Sequence, residues 1–470
     1  MDAASLEFLA PLMFLGLVVF LLLGYPVAFA LAANGLLFAG IGITAGLFDI
    51  SLLQALPERV YGIVANPTLL AIPFFAFMGL ILERSGMAED LLDTIGQLFG
   101  SLRGGLAYAV ILVGGLLAAT TGVVAATVIA MGLISLPVML RYGYDKRLAS
   151  GVIAASGTLA QIIPPSLVLI VLADQLGASV GDMYKGALIP GLALVGLYLL
   201  YVFGVTLFRP HAAPAMPASA RTLHGSALLL RVLTTLVPPL VLIFLVLGTI
   251  FIGVATPTEG GAMGAAGALL LAVARGRLSR LQLTQAMDST TRLTAFVIFI
   301  LIGSTIFTLV FRGLDGDVWV EHLFNQLPGG VLGFLIVVNL MVFALAFFLD
   351  FFEIAFIVVP LVGPIATKLG IDPIWFGVML AVNMQTAFMH PPFGFALFYL
   401  KSVAPKSIRT ADIYRGAIPF LVIQLFMVAV VLAFPQVVLR DAPPDASSVT
   451  EIPIDIDVDP DAYYLPAEWR

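Results

Sequence analysis

Apolar stretches of about 17 to 25 residues recur from Leu9 to the region of Val437, separated by short polar loops, and each matches the hydrocarbon thickness of a bilayer. In lipid every backbone polar group has to be satisfied within the span, so the choice is between helices and a closed barrel. The apolar runs here are continuous rather than alternating, which selects helices. With 61% hydrophobic and 11% charged residues, a mean hydropathy of +1.09 rules against a water-soluble fold. The expected class is an all-α polytopic membrane protein. The first run is preceded by the acidic "MDAASLE", with no basic region or cleavage site, and reads as a retained helix rather than a signal peptide.

Several chemistries are disfavoured at once. The chain has no cysteine, so disulfides, thiolate metal sites and cysteine nucleophiles are absent, and its four histidines are scattered. An enzyme is not expected, nor any cofactor beyond coupling ions. A net charge of -6 argues against nucleic acid as a partner. Residues 438–470 are acidic, proline-rich and without helical period, and are expected to form a disordered tail.

Candidate crossings lie near residues 7–23, 27–47, 68–82, 148–172, 186–207, 233–254, 259–274, 292–313, 373–400 and 416–436. The stretches 106–140 and 329–365 are interrupted midway, and each reads either as two crossings or as one re-entrant hairpin, the latter being the expectation adopted. "RYGYDKR" (141–147), the segment 209–231, "RGRLSR" (275–280) and the loop with Lys401, Lys406, Arg409 and Arg415 fall on one side. Lys and Arg accumulate in cytoplasmic loops, which puts both termini and "DGDVWVE" (315–321) on the opposite, periplasmic side.

An internal repeat organises the chain. Shifting it by 227 residues superposes 136–165 on 363–392 without a gap, matching Pro137, Gly143, Asp145, Ala154, Ala160, Pro164 and Pro165 with Pro364, Gly370, Asp372, Ala381, Ala387, Pro391 and Pro392. The basic loop at 141–147 meets a nearly neutral one at 366–373, so the halves look inverted. Inverted repeats with matched breaks are the sequence mark of a secondary transporter.

A proline inside a helix removes a donor and clashes with the preceding turn, at about 3 kcal/mol. At membrane depth the freed carbonyls persist only where they face protein or a hydrated cavity, and there they can cage a small hard cation. The breaks at 160–165 and 387–392 therefore predict two related cation sites. Thr120, Thr121 and Gly122 interrupt the first hairpin at its tip, where helix ends and hydroxyls could face an ion. Small-residue helix packing is the alternative. Asp350 and Glu353 lie at the corresponding place in the second half, as cation or proton groups or as structural charges. His390 precedes the second proline pair, as a polar packing residue or a proton relay. Ser156 and Thr158, facing Asn383 and Gln385 across a pseudo-twofold axis, would suit a carboxylate substrate or act as interhelical glue.

At these residues the chain resembles the large membrane subunit of tripartite ATP-independent periplasmic (TRAP) transporters over nearly all of 5–437. The segments "NPTLLAIPFFAFMG" (66–79), "LISLPVMLRYGYD" (133–145), "GTLAQIIPPS" (157–166), "FLDFFEIAFIVVPLVGPI" (348–365) and "LGIDPIWFGVMLAVN" (369–383) carry the resemblance. It implies sodium-driven import of an organic acid, such as a 2-oxo acid or dicarboxylate, across a bacterial inner membrane. The acid would arrive on a periplasmic binding protein, and the permease would work with a small four-helix membrane subunit. It also implies an elevator-type transporter with two re-entrant hairpins and two broken helices. The first sodium site would fall on Thr121, Gly122, Ala160, Ile163 and Pro165. The second would draw on Ala387, His390 and Pro392, with Asp350 as its charged candidate. The resemblance further implies scaffold helices at 1–60, a first inverted repeat at 61–210, scaffold helices and connectors at 211–285, and a second repeat at 286–437. Within the repeats lie hairpins 106–140 and 329–365 and broken helices 148–172 and 373–400. The family commonly has a Ser-Gly-Ser tip where this chain has Thr121, Gly122 and Val123, and a threonine where it has His390. A carrier of the same fold that works without a binding protein is the alternative function.

Overall fold

The computed structural model describes residues 8–121 and 124–439, with the side chains of 119–121 and 325 left aside. Most of the expected tail, from residue 440 on, lies outside the described residues, as do 1–7 and the tip residues Gly122 and Val123.

All regular elements among the described residues are helical. The first half runs α1 (Leu9–Leu22), α2 (Val27–Thr44), α3 (Leu56–Val64), α4 (Ala71–Arg84), α5 (Met87–Phe99), α6 (Gly105–Thr121), α7 (Val124–Arg141), α8 (Lys146–Thr158), α9 (Leu167–Gln175) and α10 (Val180–Phe208). The second half runs α11 (Gly225–Phe251), α12 (Pro257–Ala274), α13 (Arg280–Gly313), α14 (Gly316–Asn325), α15 (Gly330–Leu345), α16 (Phe351–Ile357), α17 (Val359–Lys368), α18 (Pro373–Met384), α19 (Phe395–Val403) and α20 (Thr410–Ala433). Six described helices are long and apolar enough to cross a membrane, and two bent pairs raise this to eight. One such pair is α16 with α17, inclined by 53°; Pro360, which can donate no backbone N–H, lies in the first turn of α17.

The repeat recurs in the element boundaries. α8 and α18 open on Lys146 and Pro373, the 227-residue offset. Each is preceded by the same turn: Gly143 and Gly370 adopt φ of +81° and +71°, where a Cβ would be strained, and end the preceding helix. Asp145 then accepts from the N–H groups of Arg147 and Leu148, and Asp372 from those of Ile374 and Trp375. The conserved spacing within the chain thus has a local cause, a left-handed stop followed by an N-cap.

Packing follows the same symmetry. α2 lies on α13 where Gly303 meets the Ala28 backbone and Gly35 meets Ile306 and Phe307. At the offset, α12 lies on α4 where Gly261 meets Phe74 and Gly264 meets Met78. Lipid offers no hydrophobic gain for pairing helices, so close approach through small residues, which maximises dispersion contact, holds these pairs. In the other half of the molecule α8 crosses α20 with Gly151 against Gly416 backbone to backbone, while α18 crosses α10 with Ile374 and Val378 against Gly186.

The amphipathic helices α3, α5 and α14 carry their polar faces beside the long helices. Asp90 of α5 receives Arg277 at 2.7 Å, Arg231 at 3.2 Å and Arg275 at 3.8 Å, tying that helix to α11 and to the α12–α13 connection.

Candidate functional site: two broken helices and two hairpins

The first break is built by residues 159–166. After α8 the chain passes into a 3-10 turn at Leu159–Gln161. In a continuous helix, Pro164 and Pro165 would supply donors to the carbonyls of Ala160 and Gln161, and neither has an N–H to give. Ser166 replaces one of them: its Oγ donates to the Gln161 carbonyl at 2.5 Å and also accepts from Leu169 N–H, capping α9. The Ser166 carbonyl in turn accepts from the Tyr184 hydroxyl at 3.4 Å. The Ala160 carbonyl is thereby left without its helical donor in a fully buried setting.

The second break repeats this with different side chains. α18 ends in a 3-10 turn at Gln385–Phe388, and Pro391 and Pro392 withhold the donors that Ala387 and Phe388 would have met. The Pro164–Pro165 and Pro391–Pro392 bonds are both cis. Gly394 N–H donates to the His390 carbonyl at 2.6 Å, and the Tyr414 hydroxyl to the Pro392 carbonyl at 3.0 Å. A Cβ on Gly394 would lie 2.6 Å from the Phe388 carbonyl oxygen, so only glycine lets the chain turn back this tightly.

A set of helices is packed against each break: α6 and α7 in the first half, and α15 with α16 and α17 in the second. Gly114 on α6 lies on Ser156, and Val128 on α7 lies on Gly157, so the two arms straddle the end of α8. In the second half, Phe343 and Phe347 enclose the His390 ring, with centroids at 4.2 and 4.4 Å and the Phe347 ring stacked parallel. Phe351 lies 6.0 Å from Phe388. At the tip, Asp350 Oδ1 accepts from Glu353 N–H and Glu353 Oε2 from Asp350 N–H, both at 2.9 Å. This reciprocal box serves two otherwise unpaired donors at the start of α16.

The candidate substrate residues are all buried and fall into two polar clusters. Thr158 Oγ1 donates to the Ala155 carbonyl and accepts from Gln385 Nε2 and Gln424 Nε2, both at 3.2 Å. Gln424 Nε2 also reaches the Tyr198 hydroxyl at 2.9 Å. Asn383 Nδ2 donates to the carbonyl and side-chain oxygens of Asn339 on α15, at 2.8 Å each. Ser156 instead bonds back to the Val152 carbonyl of its own helix at 2.6 Å. The bonds that Asn383, Gln385 and Gln424 donate join helices, whereas that of Ser156 does not. They do not exhaust the polar capacity: among the described residues, both side-chain amide atoms of Gln161, Oε1 of Gln385, Oε1 of Gln424 and Oδ1 of Asn383 are buried without a hydrogen-bond partner.

Of the candidate sodium ligands, Ala160, Ile163 and Pro165 share the first break, with Ile163 against Gly191 of α10 and Gly115 of α6. Thr121 ends α6 but its side chain is not described, and Gly122 lies outside the described residues. Ala387, His390 and Pro392 share the second break, and the Pro392 carbonyl is already engaged by Tyr414. Gln161, Asn339, Gln424, Tyr198 and Tyr414 were not anticipated from sequence. Single polar residues inside apolar runs, such as Gln424 in "LVIQLF", were the available signal.

A family described as "Tripartite ATP-independent periplasmic transporter, DctM component" matches residues 14–437. The C4-dicarboxylate TRAP transporter large permease protein DctM of Pseudomonas aeruginosa is 33% identical, over 84% of this chain and 91% of that one. The sialic acid TRAP transporter large permease protein SiaM of Vibrio cholerae is 27% identical, over 86% and 95%. The 2,3-diketo-L-gulonate TRAP transporter large permease protein YiaN of Escherichia coli is 26% identical, over 92% and 98%. Among solved structures, the Alcanivorax borkumensis YdaH transporter superposes with a TM-score of 0.59 at 15% identity, over 83% of this chain and 90% of that one, a likeness of fold.

Proposed function

The chain belongs to the DctM component of the tripartite ATP-independent periplasmic transporter family, and from that premise we propose that it is the large permease of a sodium-coupled importer of an organic acid. The observation that carries this reading is the pair of broken helices 227 residues apart, each with a hairpin packed on its break and joined to the other through Thr158 and Gln385. Carbonyls such as those of Ala160 and Ala387, without helical donors, suit a small hard cation. We assign the first sodium site to Ala160, Ile163 and Pro165 with the tip residues Thr121 and Gly122. The second takes Ala387, His390 and Pro392, with Asp350 at the facing tip. The unpaired amide atoms of Gln161, Gln385 and Asn383 are buried at or just before the two breaks and are the candidate recognition groups for a carboxylate, with Ser156 and Thr158 in support.

The substrate class is read from the relatives, whose names give C4-dicarboxylates, sialic acid and 2,3-diketo-L-gulonate, all organic acids. Partners follow in the same way: a periplasmic binding protein and a separate small four-helix membrane subunit. The basic loops favour a cytoplasmic side for themselves and hence a periplasmic position for both termini. In the elevator reading, the segments 141–165 and 364–392 move together against the helices at 7–47 and 233–274, which are α1, α2, α11 and α12.

The test is uptake of a labelled C4-dicarboxylate into proteoliposomes under an inward sodium gradient. Uptake is expected only with the binding protein and small subunit present. Uptake by this chain alone would instead establish the carrier that needs no binding protein. Thr121→Ala is expected to weaken the sodium dependence, and an unchanged sodium titration would remove Thr121 from the ligand set.

A further inference from the structure

A groove of about 590 Å³ runs between α6 and α10 on the outer face of the first repeat. Its walls include Leu112, Gly196 and Phe203, and its mouth includes Arg103, Tyr108 and Thr206. The slot exists because Gly196 sits mid-helix in α10 with no heavy atom within 4 Å of where its Cβ would be. From Thr206 to Gly196 the helix rises about 15 Å. That is half of a hydrocarbon core of roughly 30 Å, the depth of one leaflet.

Arg103 stands at the mouth on a braced turn. Gly104 N–H donates to the Ala213 carbonyl at 2.9 Å, and Gly104 packs directly on Val202 and Thr206. Arg103 is exposed and has no ion pair among the described residues, in contrast to the three arginines gathered on Asp90. We propose that this groove is a phospholipid site in the leaflet on the side of the basic loops. One acyl chain occupies the slot beside Gly196 and the phosphate pairs with Arg103, whose charge complements it. Val195, the neighbour of Gly196, packs on Gly115 beside Ile163 of the first break. A chain seated there wedges α6 against α10 where the first hairpin meets the broken helix.

The test is native mass spectrometry of the full chain, purified in mild detergent and titrated with phosphatidylglycerol. One tightly retained lipid is expected. Arg103→Gln should lower its retention about fivefold. Gly196→Leu, whose side chain enters the slot, should abolish retention while leaving thermal unfolding unchanged. Retention equal to wild type in both variants overturns the proposal. So does a photocrosslinker placed at Leu200 that captures the small subunit rather than lipid in native membranes, because the groove would then be a protein interface.

Discussion

Gln385 Nε2 donates to Thr158 Oγ1 at 3.2 Å, and the two residues stand 227 positions apart, the offset that superposes one half of the chain on the other. Residues equivalent under a twofold operation touch only near its axis, so this bond marks where the halves meet. Thr158→Val would remove the shared acceptor of two buried amides, from Gln385 and Gln424, at a cost of about 1–3 kcal/mol. Replacing both, as Thr158→Val with Gln385→Leu, should cost less than the sum of the single changes. A double-mutant cycle on thermal unfolding measures this, and strict additivity would show that the bond is not coupled.

The crossing of α8 with α20 leaves no room for a side chain. A Cβ on Gly416 would collide with the Arg147 carbonyl oxygen, and one on Gly151 with the Gly416 carbonyl. Gly416→Ala should therefore destabilise by about 1–3 kcal/mol through forced separation of the backbones. Gly40→Ala, where a Cβ meets nothing within 4 Å, serves as the control expected to stay near wild type. Fluorescence-detected size exclusion after a heating series reads both.

Asp350 caps α16 and is also the charged residue proposed for the second sodium site, and the two roles can be separated. Its Oδ1 caps α16 by accepting from Glu353 N–H, a bond that asparagine can keep, whereas a ligand role needs the charge. Asp350→Asn should preserve folding yet raise the sodium concentration for half-maximal uptake. Asp350→Leu should lose both. A sodium titration of Asp350→Asn that matches wild type would leave capping as the function of this carboxylate.

Asp90 is the shared acceptor of Arg231, Arg275 and Arg277 and is mostly buried. Asp90→Asn removes the one charge that holds three like charges together, so it should destabilise more than any single arginine-to-glutamine change at those positions. Added salt should narrow the gap by screening the residual repulsion. Unfolding midpoints at two ionic strengths provide the check.

The sequence was most readable where backbone chemistry is unambiguous. Pro164, Pro165, Pro391 and Pro392 announced the breaks, because a residue without an N–H cannot be accommodated silently. Gly143 and Asp145 were matched with Gly370 and Asp372 by the repeat, and the structure makes each pair a helix stop and an N-cap. The helices Leu56–Val64, Met87–Phe99 and Gly316–Asn325 were passed over, since half-polar helices lack the continuous apolar run that marks a span. α10 begins at Val180, before the expected 186, because Ser179 caps a polar first turn that hydropathy does not register. The polar clusters were half legible. Thr158 and Gln385 were paired by the repeat, whereas Gln424, Tyr198 and Asn339 have polar partners that only the crossing of distant helices supplies.

The turns at 142–145 and 369–372 are short, and each is closed by a left-handed glycine and an aspartate N-cap. Each therefore welds the returning arm of a hairpin to the base of a cracked helix, making a stiff two-pronged fork in either half. A fork of fixed gape keeps its tip chemistry at a constant reach from its own crack, so a tip residue such as Asp350 can be exchanged without re-engineering the prongs that carry it.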